Sequence, residues 1–136
     1  MDLLHQALDN DANHKFLHLN SKKIQLYKSN AIAELHRSQS ETRSLLAKLR
    51  DYIYVDELGD LREGAYIRWI PIINPNIIRL TKGALFCEAL MTDNGISIRY
   101  KNFNGGTYSL KPEECLLFQK LTQQEIVLIK ALDYLD

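Results

Sequence analysis

The chain has 136 residues, 46% of them apolar and 25% charged, a composition typical of one globular domain or of a small domain with an appendage. Seventeen basic residues balance seventeen acidic ones, so the whole chain is no general binder of polyanions. Its apolar runs are far shorter than the roughly 20 residues that span a bilayer. The N-terminal stretch also lacks the basic and apolar segments of a signal peptide, so we expect an intracellular, cytoplasmic protein with no membrane partner.

The first fifty residues are predicted to be helical. They contain no Gly and no Pro, and the absence of both helix breakers permits long helices. Residues 1–9 suit a short helix capped by Asp2, and residues 9–14 suit a loop. A second helix should begin at Asn20 or Ser21 and continue to residue 50, a length of roughly 45 Å.

The long helix carries a weak apolar stripe with a seven-residue period. Its ends are apolar and its middle is polar, so it suits a coiled coil or bundle with a protein partner or a second copy of the chain. The alternative is a helix folded back on its own domain. The residues predicted to contact the partner are Ile24, Ala31, Leu35, Leu45 and Leu49, called here the stripe.

Beyond residue 50 the period of the apolar residues changes to two, which indicates strands. The predicted strands are residues 51–55, 65–73, 83–92, 96–103, 107–110 and 115–121. Residues 93–95 and 104–106 are hairpin turns rich in Asn and Gly, and residues 111–114 form one tight helical turn. Thr122 should cap a last helix over residues 123–135, whose core side is predicted as Ile126, Ile129, Leu132 and Tyr134.

The strand count, the loop lengths and the turn "KPEE" before the last strand resemble an SH3-like barrel over residues 64–121. The predicted fold is therefore α+β, with a long N-terminal helix, a small five-stranded SH3-like barrel and a C-terminal helix. We divide the chain into a helical arm, residues 1–50, and a barrel with its helix, residues 51–136. Because SH3-like barrels host many unrelated functions, this resemblance implies a fold and no activity.

A second resemblance rests on the blocks "YVDELGDLREGAYIRWI", "LTKGA" and "FQKLTQQEIVLIKALDYL". They look like parts of small uncharacterised proteins encoded by large DNA viruses of algae and protists. Such proteins are commonly virion or assembly components. The resemblance implies a location in the virion and brings no catalytic residues with it.

Signatures of catalysis are missing from the sequence. It has no phosphate-binding Gly-rich loop, no G-x-S-x-G and no H-E-x-x-H. His14 and His18 could share a helix face, but nothing in the sequence supplies the further ligands that a metal needs. Cys87 and Cys115 lie in or beside apolar strands and are interpreted as small buried side chains in a reducing compartment, with a single disulfide between them as the alternative. We predict no catalytic residue, metal, cofactor or small-molecule substrate.

Two kinds of binding surface are predicted on the barrel. Aromatic side chains at one barrel end could form a groove or cage, although strict alternation places Tyr66 and Trp69 on opposite faces and a core role is the alternative. The predicted barrel-surface residues are Tyr66, Arg68, Trp69, Arg99 and Phe103.

Residues 15–50 carry eight Lys and Arg against Glu34 and Glu41, an excess that suits a solvated helix face or an acidic partner such as nucleic acid. The barrel cations that would join this surface are Arg62, Arg68, Arg79, Lys82, Arg99 and Lys101. We therefore predict a non-enzymatic protein–protein assembly module, a minor capsid-associated protein in the viral setting. The alternative is an accessory protein that binds nucleic acid.

Overall fold

A computed structural model of the chain describes residues 2–11, 13 and 19–135. The described helices are α1 (Leu3–Asp9), α2 (Ser21–Ala33), α3 (Gln39–Lys48) and α4 (Gln123–Leu135). The described strands are β1 (Tyr52–Tyr54), β2 (Tyr66–Pro71), β3 (Ala84–Thr92), β4 (Gly95–Lys101), β5 (Thr107–Leu110) and β6 (Cys115–Lys120). Single 3₁₀ turns lie at Leu58–Asp60 and Pro112–Glu114. The prediction of an α+β fold is confirmed.

All six strands belong to one antiparallel sheet with the order β1-β6-β2-β3-β4-β5. The prediction of a five-stranded barrel is therefore only partly correct, because the strands form one six-stranded sheet. β1 adds a sixth strand beside β6, because Ile53 pairs with Gln119 and the Leu121 N–H donates to the Asp51 carbonyl. The sheet is open, with β1 and β5 at its two edges.

The predicted hairpins and caps have the expected chemistry. Gly95 and Gly105 have φ of 104° and 89°, values that favour glycine because it has no Cβ. The register between β3 and β4 shifts between Phe86 and Glu88, a bulge that increases the local twist of the sheet. Asn20 caps α2, since its side chain accepts from the Lys23 N–H at 2.9 Å.

The prediction of one helix over residues 21–50 is wrong. α2 ends at Ala33, His36 has a left-handed φ of 54°, and α3 begins at Gln39. Ser38 caps α3 by accepting from the Glu41 N–H at 3.1 Å, which is half of a capping box. The chain therefore turns without glycine or proline. Ser38 provides a hydrogen-bond acceptor for an N–H group at the start of α3, and His36 adopts the left-handed conformation that the turn requires.

Packing on the sheet explains why the helix breaks. Ile32 of α2 and Leu45 and Leu49 at the end of α3 share one buried cluster. The sheet supplies the rest of that cluster: Ile70, Leu116 and Phe118. A straight helix of thirty residues would extend far past this face, whereas two short helices place their apolar residues on the same patch.

The other side chains of β2 and β6 belong to a second core cluster. It contains Ile67 and Trp69 of β2 together with Leu117 of β6, and strands β3 and β4 contribute Phe86 and Ile98. Alternate residues of one strand thus enter different clusters, as the two-residue period of a strand requires.

A third cluster ties the N-terminal helices to the C-terminal one. Ala7, Ile24, Leu128 and Ile129 are buried together there. The predicted core side of α4 is correct at Ile129 and wrong at Tyr134, which is exposed. The inward face is rotated because Glu125 is buried and takes part in an ion pair.

Candidate binding surfaces

The structure packs the stripe inside the chain. Leu45 and Leu49 lie against the sheet, with Leu35 partly buried beside them, and Ile24 lies against α4. Ala31 is also buried. The alternative of a helix folded back on its own domain therefore describes these contacts. The sheet and α4 together occupy the apolar face that was predicted to contact a partner.

Lys28 is a buried residue that sequence reasoning counted among solvated cations. Its Nζ donates to the carbonyls of Leu49 and Tyr52, both at 2.8 Å, and to that of Arg50 at 3.4 Å. It thus satisfies carbonyls at the end of α3, which have no partner within the helix. Burial lowers the pKa of Lys28. The signal was its position four residues after Ile24, on the face that carries the stripe.

Arg62 and Glu125 form a second polar contact in the interior. The guanidinium donates to both carboxylate oxygens, with Nη2 2.9 Å from Oε1, and Glu125 is fully buried. The same carboxylate accepts from the Thr122 N–H, and the Thr122 hydroxyl accepts from the Glu125 N–H. The predicted cap at Thr122 is confirmed, and Arg62 is engaged in holding α4 to the segment before β2.

The predicted barrel-surface residues separate into two groups. Arg68 is half-buried and donates to the carbonyl of Thr81 at 2.8 Å, Arg99 pairs with Glu88 at 2.8 Å, and Trp69 lies in the core. Only Tyr66 and Phe103 of this set form an exposed contact with each other, with ring centroids 5.9 Å apart.

Lysines flank the exposed ring pair. Lys120 Nζ lies 5.6 Å from the centroid of the Tyr66 ring, a cation–π geometry. Leu85 of β3 pairs with Tyr66 of β2 on one side and with Lys101 of β4 on the other. Directly paired residues lie on the same face of a sheet, so Lys101 shares the face of Tyr66. We call Tyr66, Leu85, Lys101, Phe103 and Lys120 the aromatic shelf.

The remaining aromatic residues do not join the shelf. Trp69 stacks obliquely on Tyr100 with centroids 4.6 Å apart, and Tyr100 contacts Tyr108 at 6.0 Å. These rings belong to the opposite face of the sheet, as the alternation of Tyr66 and Trp69 predicts. The predicted aromatic cage is therefore not formed as one site, because Tyr66 and Phe103 lie on one face and Trp69, Tyr100 and Tyr108 on the other.

A groove of about 590 Å³ lies between α2 and the segment that begins with β1. No pattern in the sequence indicated this groove, because its walls are far apart along the chain. No Lys or Arg is among the described residues that line it. We call it the acidic groove, and its polar lining residues are Tyr27, Asn30, Glu34, Tyr54, Asp56, Glu57 and Asp60.

Chemistry at the cysteines is limited by burial. Cys87 and Cys115 are both free and half-buried. Burial, with a smaller contribution from Glu114, raises the pKa of the Cys115 thiol to about 11. The thiol is therefore protonated at neutral pH and is a poor nucleophile.

The structure describes potential metal ligands and helices within residues 2–11, 13 and 19–135. Within them there is no group of three metal-ligating side chains. None of the helices described there has the length and apolar character needed to cross a bilayer. His14 and His18, the histidine pair that the sequence singled out, lie outside the described residues.

Comparison of the chain with family models, curated proteins and solved structures finds no match.

Proposed function

We propose that this chain is a non-enzymatic protein–protein assembly module whose contact surface is the aromatic shelf. One observation carries the proposal: Tyr66 and Phe103 are 44% and 68% exposed although their rings contact each other. Large aromatic side chains are enriched at the energetic centres of protein interfaces. A pair already held together loses little conformational freedom when a partner covers it.

The fold of the strand region is part of the same proposal. We propose that β2 to β6 are an SH3-like module to which β1 and the helices are added. The strand order β6-β2-β3-β4-β5 supports this, as does the 3₁₀ turn Pro112–Glu114 between β5 and β6. In this module the strands hold Tyr66, Lys101 and Lys120, while Phe103 reaches the shelf from the turn after β4.

The partner is a protein, either a second copy of this chain or another component of an assembly. The likeness of three sequence blocks to small viral proteins supports a capsid-associated role and a location inside the infected cell or the virion. The stripe contributes to assembly only indirectly, because it anchors α2 and α3 to the sheet.

The test compares the full chain with Phe103→Ala and Tyr66→Ala. We expect both variants to lose a contact that the parent makes, either self-association in sedimentation or specific partners in a quantitative pull-down. Tyr134→Ala is the matched control, because this tyrosine is 90% exposed on α4 and away from the shelf. Shelf variants that keep every contact of the parent would refute the proposal.

Nucleic acid is the second candidate partner. Lys101 and Lys120 beside two exposed rings are the arrangement that single-stranded nucleic acid uses, with phosphates on the cations and bases on the rings. The predicted arginines support it less, since Arg62, Arg68 and Arg99 are engaged within the fold.

A polyanion column run across a salt series separates the two candidates. Binding to nucleic acid requires retention that falls steeply with salt. The double variant Lys101→Gln with Lys120→Gln should lower the slope of log binding constant against log salt concentration by about 2. Absence of retention at low salt would eliminate this candidate and leave the protein partner.

A further inference from the structure

We propose that the acidic groove binds an extended, lysine- or arginine-containing segment of a partner protein. This site is separate from the aromatic shelf and goes beyond the proposed function. Three independent features of the groove support it: its shape, its charge and an unused stretch of backbone.

The shape of the groove comes from the way α2 covers the sheet edge. Ile24 belongs to the cluster with α4, while Ile32 belongs to the cluster on β6 and β2. α2 thus packs beside the edge strand β1, and the groove opens between them, with Ala31 and Ile53 among its apolar lining residues. Its volume of about 590 Å³ lies within the range of pockets that bury a drug-sized ligand, which is enough for the part of a peptide that enters the groove.

The described residues that line the groove include carboxylates and no lysine or arginine. Glu34 reaches the groove from the C-terminal end of α2, and Asp56 and Glu57 reach it from the segment after β1. Burial, and then the Asp56 and Glu34 carboxylates, raise the pKa of the Tyr54 phenol, so both carboxylates lie close enough to interact with this side chain at the groove. Such a site attracts a cation and repels phosphate.

Tyr27 adds a surface for the carbon stem of a cation. Its side chain is 52% exposed at the rim of the groove. Lysine and arginine lay their methylene groups along apolar surfaces while the charged end remains solvated. An aromatic face beside carboxylates therefore favours these two side chains over a bare metal ion.

The backbone of β1 offers one open pairing position inside this groove. The Val55 N–H donates to the Leu117 carbonyl and the Leu121 N–H donates to the Asp51 carbonyl, so odd-numbered residues of this segment face β6. Tyr52 and Tyr54 therefore point their N–H and C=O groups away from β6.

The two outward-facing residues differ in their partners. The Tyr52 N–H donates to the Leu49 carbonyl and its own carbonyl accepts from Lys28. For the backbone of Tyr54, the described residues provide no such hydrogen bond. An unpaired edge residue is a site at which an extended peptide adds to a sheet.

The occupant follows from the combination of these features. A segment paired with Tyr54 is extended, so its side chains alternate, and every second one points the same way. A lysine or arginine at such a position reaches Asp56 and Glu34 while its stem crosses Tyr27. Backbone pairing supplies affinity and the carboxylates select the cationic side chain.

The test uses the full chain and a labelled, capped peptide of about nine residues that alternates lysine with valine. We expect saturable binding in fluorescence anisotropy. The same peptide with glutamine for lysine should bind about tenfold more weakly. Equal binding of the two peptides, or no binding of the lysine peptide at low salt, would overturn the proposal.

Matched variants separate the groove from general electrostatic attraction. Glu34→Gln with Asp56→Asn should weaken binding about tenfold. Glu63→Gln with Asp93→Asn removes the same charge from exposed positions outside the groove and should change binding by less than about twofold. Equal losses in the two double variants would contradict a specific site.

The backbone contact has its own readout. In ¹⁵N-correlated spectra the Tyr54 amide should shift and exchange more slowly when the peptide binds, because its N–H gains a partner. Phe103→Ala should leave peptide binding unchanged, so failure of the shelf and failure of the groove give different results. Shifts confined to the shelf would refute the groove as the site.

Discussion

The interior polar contacts and the exposed surfaces use the same residue types for different purposes. Lys28 and the Arg62–Glu125 pair are charges that the fold surrounds with hydrogen-bond partners. On the aromatic shelf and in the acidic groove, Lys120 and Asp56 are charges at the surface. Because a buried charge without partners is costly, the first group is needed for stability and the second is free to serve binding.

Glu125→Ala should have the largest effect, since it removes one partner of a buried ion pair together with the cap of α4. We expect a loss of about 3 kcal/mol in the free energy of unfolding, a value reduced because Arg62 keeps some access to solvent. Denaturant titration measures it. A loss below about 1 kcal/mol would show that the pair contributes little beyond the cap.

Lys28→Met should rank second. The carbonyls of Leu49 and Tyr52 lose a charged donor, which should cost about 2 kcal/mol. Lys22→Met, at an exposed position on the same helix, is the control and should be close to neutral.

The change in unfolding free energy caused by Lys28→Met should also depend on pH. Folding lowers the pKa of Lys28 below the ordinary value of 10.5, so at alkaline pH approaching 10.5 the unfolded chain binds more protons than the folded one. In that window the stability contributed by Lys28 rises with pH. The difference in unfolding free energy between the parent and Lys28→Met should therefore grow as the pH rises. Ionisation of the tyrosines occurs in both proteins and cancels in this difference. A flat difference would contradict this assignment.

Ser38→Ala should have a moderate effect. It removes the side chain that accepts from the Glu41 N–H and should cost about 1 kcal/mol. If one continuous helix replaced the break, the same substitution would instead be neutral or stabilising, because alanine is the better helix former. Denaturant titration of this variant against Ser40→Ala, inside α3, distinguishes the two cases.

The smallest effects on stability belong to the binding surfaces. Phe103→Ala and Asp56→Asn should each change the free energy of unfolding by less than about 0.5 kcal/mol. Each should nevertheless alter the binding measured at its own surface. A large loss of stability in either variant would mean that the residue belongs to the interior group, which would remove the contrast between the two groups.

Local patterns were sufficient to predict much of the strand region and its turns. Alternation placed Tyr66 and Trp69 on opposite faces, and the cap at Thr122 was readable because the residues that form it are three apart. The helix break was also readable from Ser38 and Glu41. It was missed because the absence of glycine and proline was taken as evidence for continuity.

The sequence by itself determined most of the strands, their turns and the apolar character of the stripe, because periodicity and capping depend on neighbours along the chain. Tertiary structure decided that the helix breaks after Ala33, that the sheet and α4 cover the stripe, and that Lys28 reaches the end of α3. It also brought Glu34 to Asp56 across the edge of β1. Contacts of this kind join residues about twenty or more positions apart, and their energies depend on the path of the backbone rather than on any local pattern.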